Sequence, residues 1–151
     1  MAARSAIIRR DLKPLGIDVE VKQFPFWDFY TRISRRGEPF DLAVSGGAFA
    51  TNDPSEVLES FDGRSIRPNA NSNYSYFDDP AFDLELAAAA KLSGVARYRA
   101  YSRLELELER DLVPAAAFAT NATRDFFSAR VGCQIYRPIV GMDIAALCIR
   151  S

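Results

Sequence analysis

The hydrophobic pattern of this chain changes period repeatedly, and a chain that alternates helical with strand periodicity is held to few architectures. From Ser5 the apolar residues Ile7, Ile8, Leu12 and Leu15 recur at helical spacing, and Pro14 with Gly16 supplies a stop. Ile17, Val19 and Val21 then alternate with Asp18, Glu20 and Lys22, the pattern of a strand that ends near Phe24 and Pro25. Phe26, Phe29, Tyr30 and Ile33 share one helical face. Arg35-Arg36-Gly37 closes that helix with cations near the negative end of its dipole. The apolar run Phe40-Asp41-Leu42-Ala43-Val44-Ser45 reads as a buried parallel strand.

Downstream, small and polar residues over 46–52 form a loop. It leads into Asp53-Pro54-Ser55-Glu56, where Asp53 suits an N-cap, Pro54 the first helical position and Glu56 the third. A helix to about Phe61 follows. The stretch 62–77, rich in Gly, Asn, Ser and Pro, reads as a long irregular loop, a length usually functional or mobile in compact domains. Asp79-Pro80 repeats the cap and starts an Ala-rich helix that Ser93-Gly94 ends. A longer helix carries Tyr98, Tyr101, Leu104, Leu108 and Leu112 on one face until Pro114, and 115–120 reads as a strand. The order predicts a single α/β domain over 1–151, with a mostly parallel sheet flanked by helices and right-handed crossovers.

Composition narrows the function. At 151 residues the chain is long enough to bury roughly 70% of its unfolded surface. Its 48% apolar and 26% charged residues are those of a soluble globular protein. No apolar run approaches the roughly 20 residues of a membrane helix, so no direct span is expected. Nineteen basic against twenty acidic residues leave a net charge of -1, without the basic footprint of a nucleic-acid binder. There is no histidine, which excludes Ser/His/Asp triads and removes the usual acid/base and metal ligand. Gly46-Gly47 lacks the other glycines of a dinucleotide or phosphate loop. Asp78, Asp79 and Asp83 miss the calcium-loop spacing, and a helix cap accounts better for Asp79. Neither metal nor cofactor is expected. Cys133 and Cys148 are too separated for a Cys-x-x-Cys pattern, so they either pair or are buried thiols. The first residues lack the pattern of a signal peptide and suggest a start inside a longer protein.

Several runs, in order, resemble the family 5 extracellular solute-binding proteins, the peptide, dipeptide and nickel receptors of ABC importers. They are Leu12-Lys13-Pro14-Leu15-Gly16-Ile17-Asp18-Val19-Glu20, then Phe40 through Gly46, then Asn52-Asp53-Pro54. The likeness continues in Asn73-Tyr74, Asp79-Pro80-Ala81-Phe82-Asp83, residues 97–110 and Asp111-Leu112-Val113-Pro114-Ala115, and it covers roughly 7–118. The resemblance implies a periplasmic-binding-protein-like (type II) fold. This chain would be most of the C-terminal ligand-binding lobe with the return toward the first lobe, the N-terminal lobe being absent. Also implied is a capture subunit, not an enzyme, that closes by a hinge on a peptide or similar small-molecule solute and is then recognised by an ABC permease. Its place would be the extracellular face of the membrane or the periplasm, with any signal or lipid anchor outside this sequence. In that oxidising compartment Cys133 and Cys148 are expected to form a disulfide.

Ligands on open α/β sheets sit beyond the carboxyl ends of strands. Together with the resemblance, this places the ligand against Ser45, Gly46, Gly47, Ala48, Phe49, Ala50 and Asn52, whose backbone N–H groups precede a helix N-terminus. Trp27, beside Phe26, is a further candidate ligand contact, with core packing the favoured reading because burial is the usual use of an indole. Tyr74, in the Asn-rich loop, is another, with plain surface as its alternative. Peptide-binding members resembling this chain carry an aspartate for the ligand's α-ammonium group where Ala50 stands, so strong selection for free peptide N-termini is not expected. The alternative function is a freestanding α/β domain with an enzymatic or regulatory role, in which a carboxylate pair such as Asp41 and Asp53 would serve.

Overall fold

The structure, a computed structural model, describes residues 2–46, 51, 53–119, 122, 124–137 and 141–150. Helices start where local chemistry favours them. Helix α1 (Ala2–Leu12) runs into a 3-10 turn, Lys13–Leu15. Gly16 ends that turn in the left-handed region at φ 78°, its N–H donating to the Lys13 carbonyl. Helix α2 spans Phe26–Ile33. At the start of α3 (Pro54–Leu58) the Asp53 carboxylate accepts from the Ser55 N–H at 2.9 Å. At the start of α4 (Pro80–Ala90) Asp79 accepts from Ala81 N and Phe82 N at 2.8 and 3.2 Å. Helix α5 (Gly94–Glu107) widens into a π turn, Leu108–Leu112, and stops at Val113, whose φ is 44°. As the sequence predicts, α3 continues as a 3-10 turn to Phe61.

Helices α3, α4 and α5 enclose the core. Leu58, Phe82, Leu86, Ala89, Tyr101, Leu104 and Leu108 are buried together, with Phe61, Phe77, Ala100 and Leu112 at the edge. Phe77 meets Phe82 edge to face, ring centres 5.5 Å apart. The buried stripe of α5 runs Tyr101, Leu104, Leu108. Tyr98, expected on that stripe, is 57% exposed. Near that level Arg97 instead pairs with the α3 cap residue Asp53, and its guanidinium lies 4.5 Å over the Tyr101 ring.

The expected mostly parallel sheet is not formed, and with it the type II lobe architecture is overturned. Among the described residues there are two small antiparallel sheets. Strand β1 (Val131–Gly132) pairs with β4 (Cys148–Ile149), Val131 opposite Ile149. Strand β2 (Tyr136–Arg137) pairs with β3 (Gly141–Met142), Tyr136 opposite Met142. Residues 17–25 and 42–46 carry no ladder, nor do 116–119. An isolated strand leaves its N–H and C=O groups without partners, so alternation alone does not hold a segment in a sheet. Leu42, read as the middle of a buried strand, is 69% exposed. The predicted disulfide is present between Cys133 and Cys148 and clasps the β1–β4 pair.

Candidate functional site

The amphipathic α2 buries Ile33 and leaves two of its four aromatic residues exposed, Phe26 at 61% and Trp27 at 78%. Core packing of Trp27 is thereby excluded. Its ring stands edge to face on Phe26 at 5.1 Å, Phe26 lies 4.8 Å from Tyr30, and Tyr30 lies 6.0 Å from Tyr74. The Tyr30 hydroxyl donates to the Gly46 carbonyl at 3.2 Å. Three residues singled out from sequence, Trp27, Tyr74 and Gly46, are thus gathered on one surface, with Ser45 exposed beside Gly46. Gly47, Ala48, Phe49, Ala50 and Asn52 lie outside the described residues.

Tyr30 joins these parts, and sequence reasoning placed it only on the helix's apolar face. The usable signal was its position four residues after Phe26, which stacks the two rings along one side of a helix. Burial, and secondarily Tyr30 beside it, raises the Tyr74 phenol above its ordinary pKa, so it stays a neutral hydroxyl near neutral pH.

The long loop that carries Tyr74 is ordered by asparagines. Asn73 is fully buried; its Nδ2 donates to the Phe77 carbonyl at 2.8 Å, while its Oδ1 accepts from Phe77 N and Ser75 Oγ. Asn71 Nδ2 donates to the Asn73 carbonyl at 2.5 Å. Backbone bonds from Asn71 N to the Ser34 carbonyl and from Arg36 N to the Pro68 carbonyl tie the loop to the end of α2. The platform therefore rests on a fixed support.

Charges near α3 are engaged with one another. Asp53 receives both Arg97 Nη atoms at 2.9 Å, a bidentate pair. Hydrogen bonds from Ser55 and then from Arg97 lower the Asp53 pKa to about 2. Such a carboxylate is a poor base near neutral pH, which weakens the acid/base pair with Asp41. Glu56 bonds Thr51 N and Oγ1 at 2.7 Å each, two residues upstream of the N–H that a capping box would use. A cleft of about 440 Å³ between α3 and α4 is lined by Glu56, Glu59, Asp62, Arg64, Leu86 and Tyr101. Arg64 is turned onto Asp62 at 2.7 Å. Asp79 is spent as a cap and Asp83 accepts from Gly63 N at 2.9 Å. No group of three potential ligands that could hold a metal occurs among the described residues.

The chain matches no known family model, no curated protein and no solved structure.

Proposed function

We propose that the chain is a capture module that holds a peptide or similar solute on the α2 platform and performs no chemistry. The observation that carries this is the exposed Phe26–Trp27 pair joined through Tyr30 to Tyr74 and the Gly46 backbone. Aromatic faces take up apolar side chains or the flat faces of peptide groups, and the Gly46 carbonyl, which accepts from the Tyr30 hydroxyl, keeps a second lone pair for a ligand N–H. In this reading the platform is one wall of the site. A second lobe supplies the other, and closure on the solute creates the shape that an ABC permease meets outside the membrane. The sequence resemblance suggests that arrangement, and the disulfide is compatible with an oxidising compartment. No helix of the described residues is long and apolar enough to cross a membrane.

Trp27 is the single tryptophan, so its indole resonance reports on the platform alone. Titration of the chain with short peptides to millimolar concentration should shift the Trp27, Tyr30 and Tyr74 ring signals, and Tyr74→Ala should weaken the response. Shifts confined to other surfaces, or none at all, refute the proposal.

A further inference from the structure

The segment from β1 to β4 is built differently from the helical part. Every large apolar residue that is buried among the described residues lies at or before Leu108. Among the described residues from β1 to β4, the contacts are two ladders of two residue pairs each, the Arg150 N bond to the Arg130 carbonyl at 2.7 Å, bonds from Asp143 N to the Ile135 carbonyl and from Gln134 Nε2 to the Val131 carbonyl at 2.9 Å each, the 3-10 turn Ile144–Ala146, the Arg137–Asp143 ion pair and the disulfide. Two-stranded ribbons of this size are not stable alone in water. The covalent bond is accordingly what keeps the segment closed.

The surroundings of the two sulfurs differ. Cys133 is exposed and Cys148 half-buried. A side chain at Gly132 would begin 2.7 Å from Arg150 Nε and 3.2 Å from Cys148 Sγ. The glycine thus leaves room for the Arg150 guanidinium and the Cys148 sulfur to lie over the same backbone position. A guanidinium next to a sulfur stabilises its thiolate, and a better-stabilised thiolate leaves faster in disulfide exchange.

We propose that the Cys133–Cys148 disulfide is a redox-sensitive clasp that opens in one direction. The thiolate of an external dithiol attacks the exposed Cys133 sulfur and forms a mixed disulfide. The Cys133–Cys148 bond breaks, and Cys148 departs as a thiolate beside Arg150. The second thiol of the reductant, after losing its proton, displaces Cys133, and the reductant leaves as its own disulfide. Two electrons pass to the protein, and the two cysteines end as thiols after taking up protons. The β1–β4 pair then loses its cross-link and opens, whereas the core of α3, α4 and α5, whose buried residues all precede this segment, stays folded.

Thiol release from the full chain under dithiothreitol tests the mechanism. Arg150→Gln should slow native-state reduction roughly three- to tenfold. Arg150→Lys should keep most of the rate, and the three proteins should react alike in urea, where the guanidinium is no longer held in place. A brief exposure to glutathione followed by iodoacetamide should put glutathione on Cys133 and the alkyl group on Cys148. After reduction, trypsin should cut after Arg130, which Val131 follows, while amides of α4 and α5 remain protected from exchange. Equal native rates for wild type and Arg150→Gln, glutathione found on Cys148, or unchanged resistance to trypsin after reduction would each overturn the clasp.

Discussion

Truncating Leu104 to alanine should remove a large share of the protein's stability. Leu104 is completely buried among Leu58, Phe82, Leu86, Ala89, Tyr101 and Leu108. Loss of three carbons forfeits about 2.4 kcal/mol at ~0.8 kcal/mol per buried methylene. The cavity adds to this unless neighbours collapse into it, giving about 3 to 5 kcal/mol in all. Collapse is hindered here because α3 is pinned to α5 by the bidentate Asp53–Arg97 pair, so the upper half of that range is expected. Urea unfolding followed by far-ultraviolet circular dichroism measures it; Trp27 fluorescence is a poor probe, since that ring already faces water. Leu106→Ala and Tyr98→Ala, on exposed positions of the same helix, should each stay within about 0.5 kcal/mol of wild type. A cost below about 1 kcal/mol at Leu104, or a Tyr98→Ala cost equal to it, would refute the helix phase on which the core rests.

Acid sensitivity should come from carboxylates whose folded pKa is depressed. Asp53, near 2 when folded against an ordinary 3.8, contributes stability that is fully present above about pH 4 and lost as the pH falls toward 2. Asp62, bonded by Arg64, and Asp111, bonded by Arg110, shift in the same direction. Melting temperatures measured from pH 6 to 2 should fall along this limb, and Asp53→Asn, which keeps a capping oxygen, should flatten it. Asn73→Ala strands the N–H and C=O of Phe77 and should cost about 2 kcal/mol. Hydrogen exchange at Phe77 should speed up in that variant before exchange at Leu104 does.

The helices were legible because their signals are local. The Asp53-Pro54 and Asp79-Pro80 starts depend on a side chain reaching an N–H two residues away, and the stop at Gly16 depends on one dihedral angle. Strands failed for the opposite reason. The alternation of Ile17, Val19 and Val21 states which way a strand would turn its side chains, but not whether a partner strand exists, and a parallel partner lies far along the chain. The disulfide was anticipated from the compartment implied by the family resemblance and from the placement of both cysteines in one otherwise irregular segment. At the site, the sequence favoured core packing for Trp27, and its 78% exposure overturns that, because exposure is set by what α2 fails to pack against. Tyr30 escaped notice because its partners, Gly46 and Tyr74, belong to other segments.

How tightly should the platform alone hold a peptide? An aromatic side chain offers about 150 to 250 Å². At the exposures of Phe26 and Trp27, the two together present roughly 280 Å² to a ligand, worth about 7 kcal/mol at 25 cal/mol per Å² if all of it were covered. Immobilising the ligand costs about 4 kcal/mol or more. The remainder, about 3 kcal/mol, corresponds to dissociation constants of roughly millimolar or weaker, and one hydrogen bond to the Gly46 backbone adds about 1 kcal/mol. On the proposed reading a one-sided platform should therefore bind at about millimolar strength, and tighter capture would need a second wall. Calorimetry of the chain against short peptides should detect nothing tighter than about 100 μM. A micromolar ligand would demand more contact than the exposed rings of α2 can provide, and its site would have to lie elsewhere on the molecule.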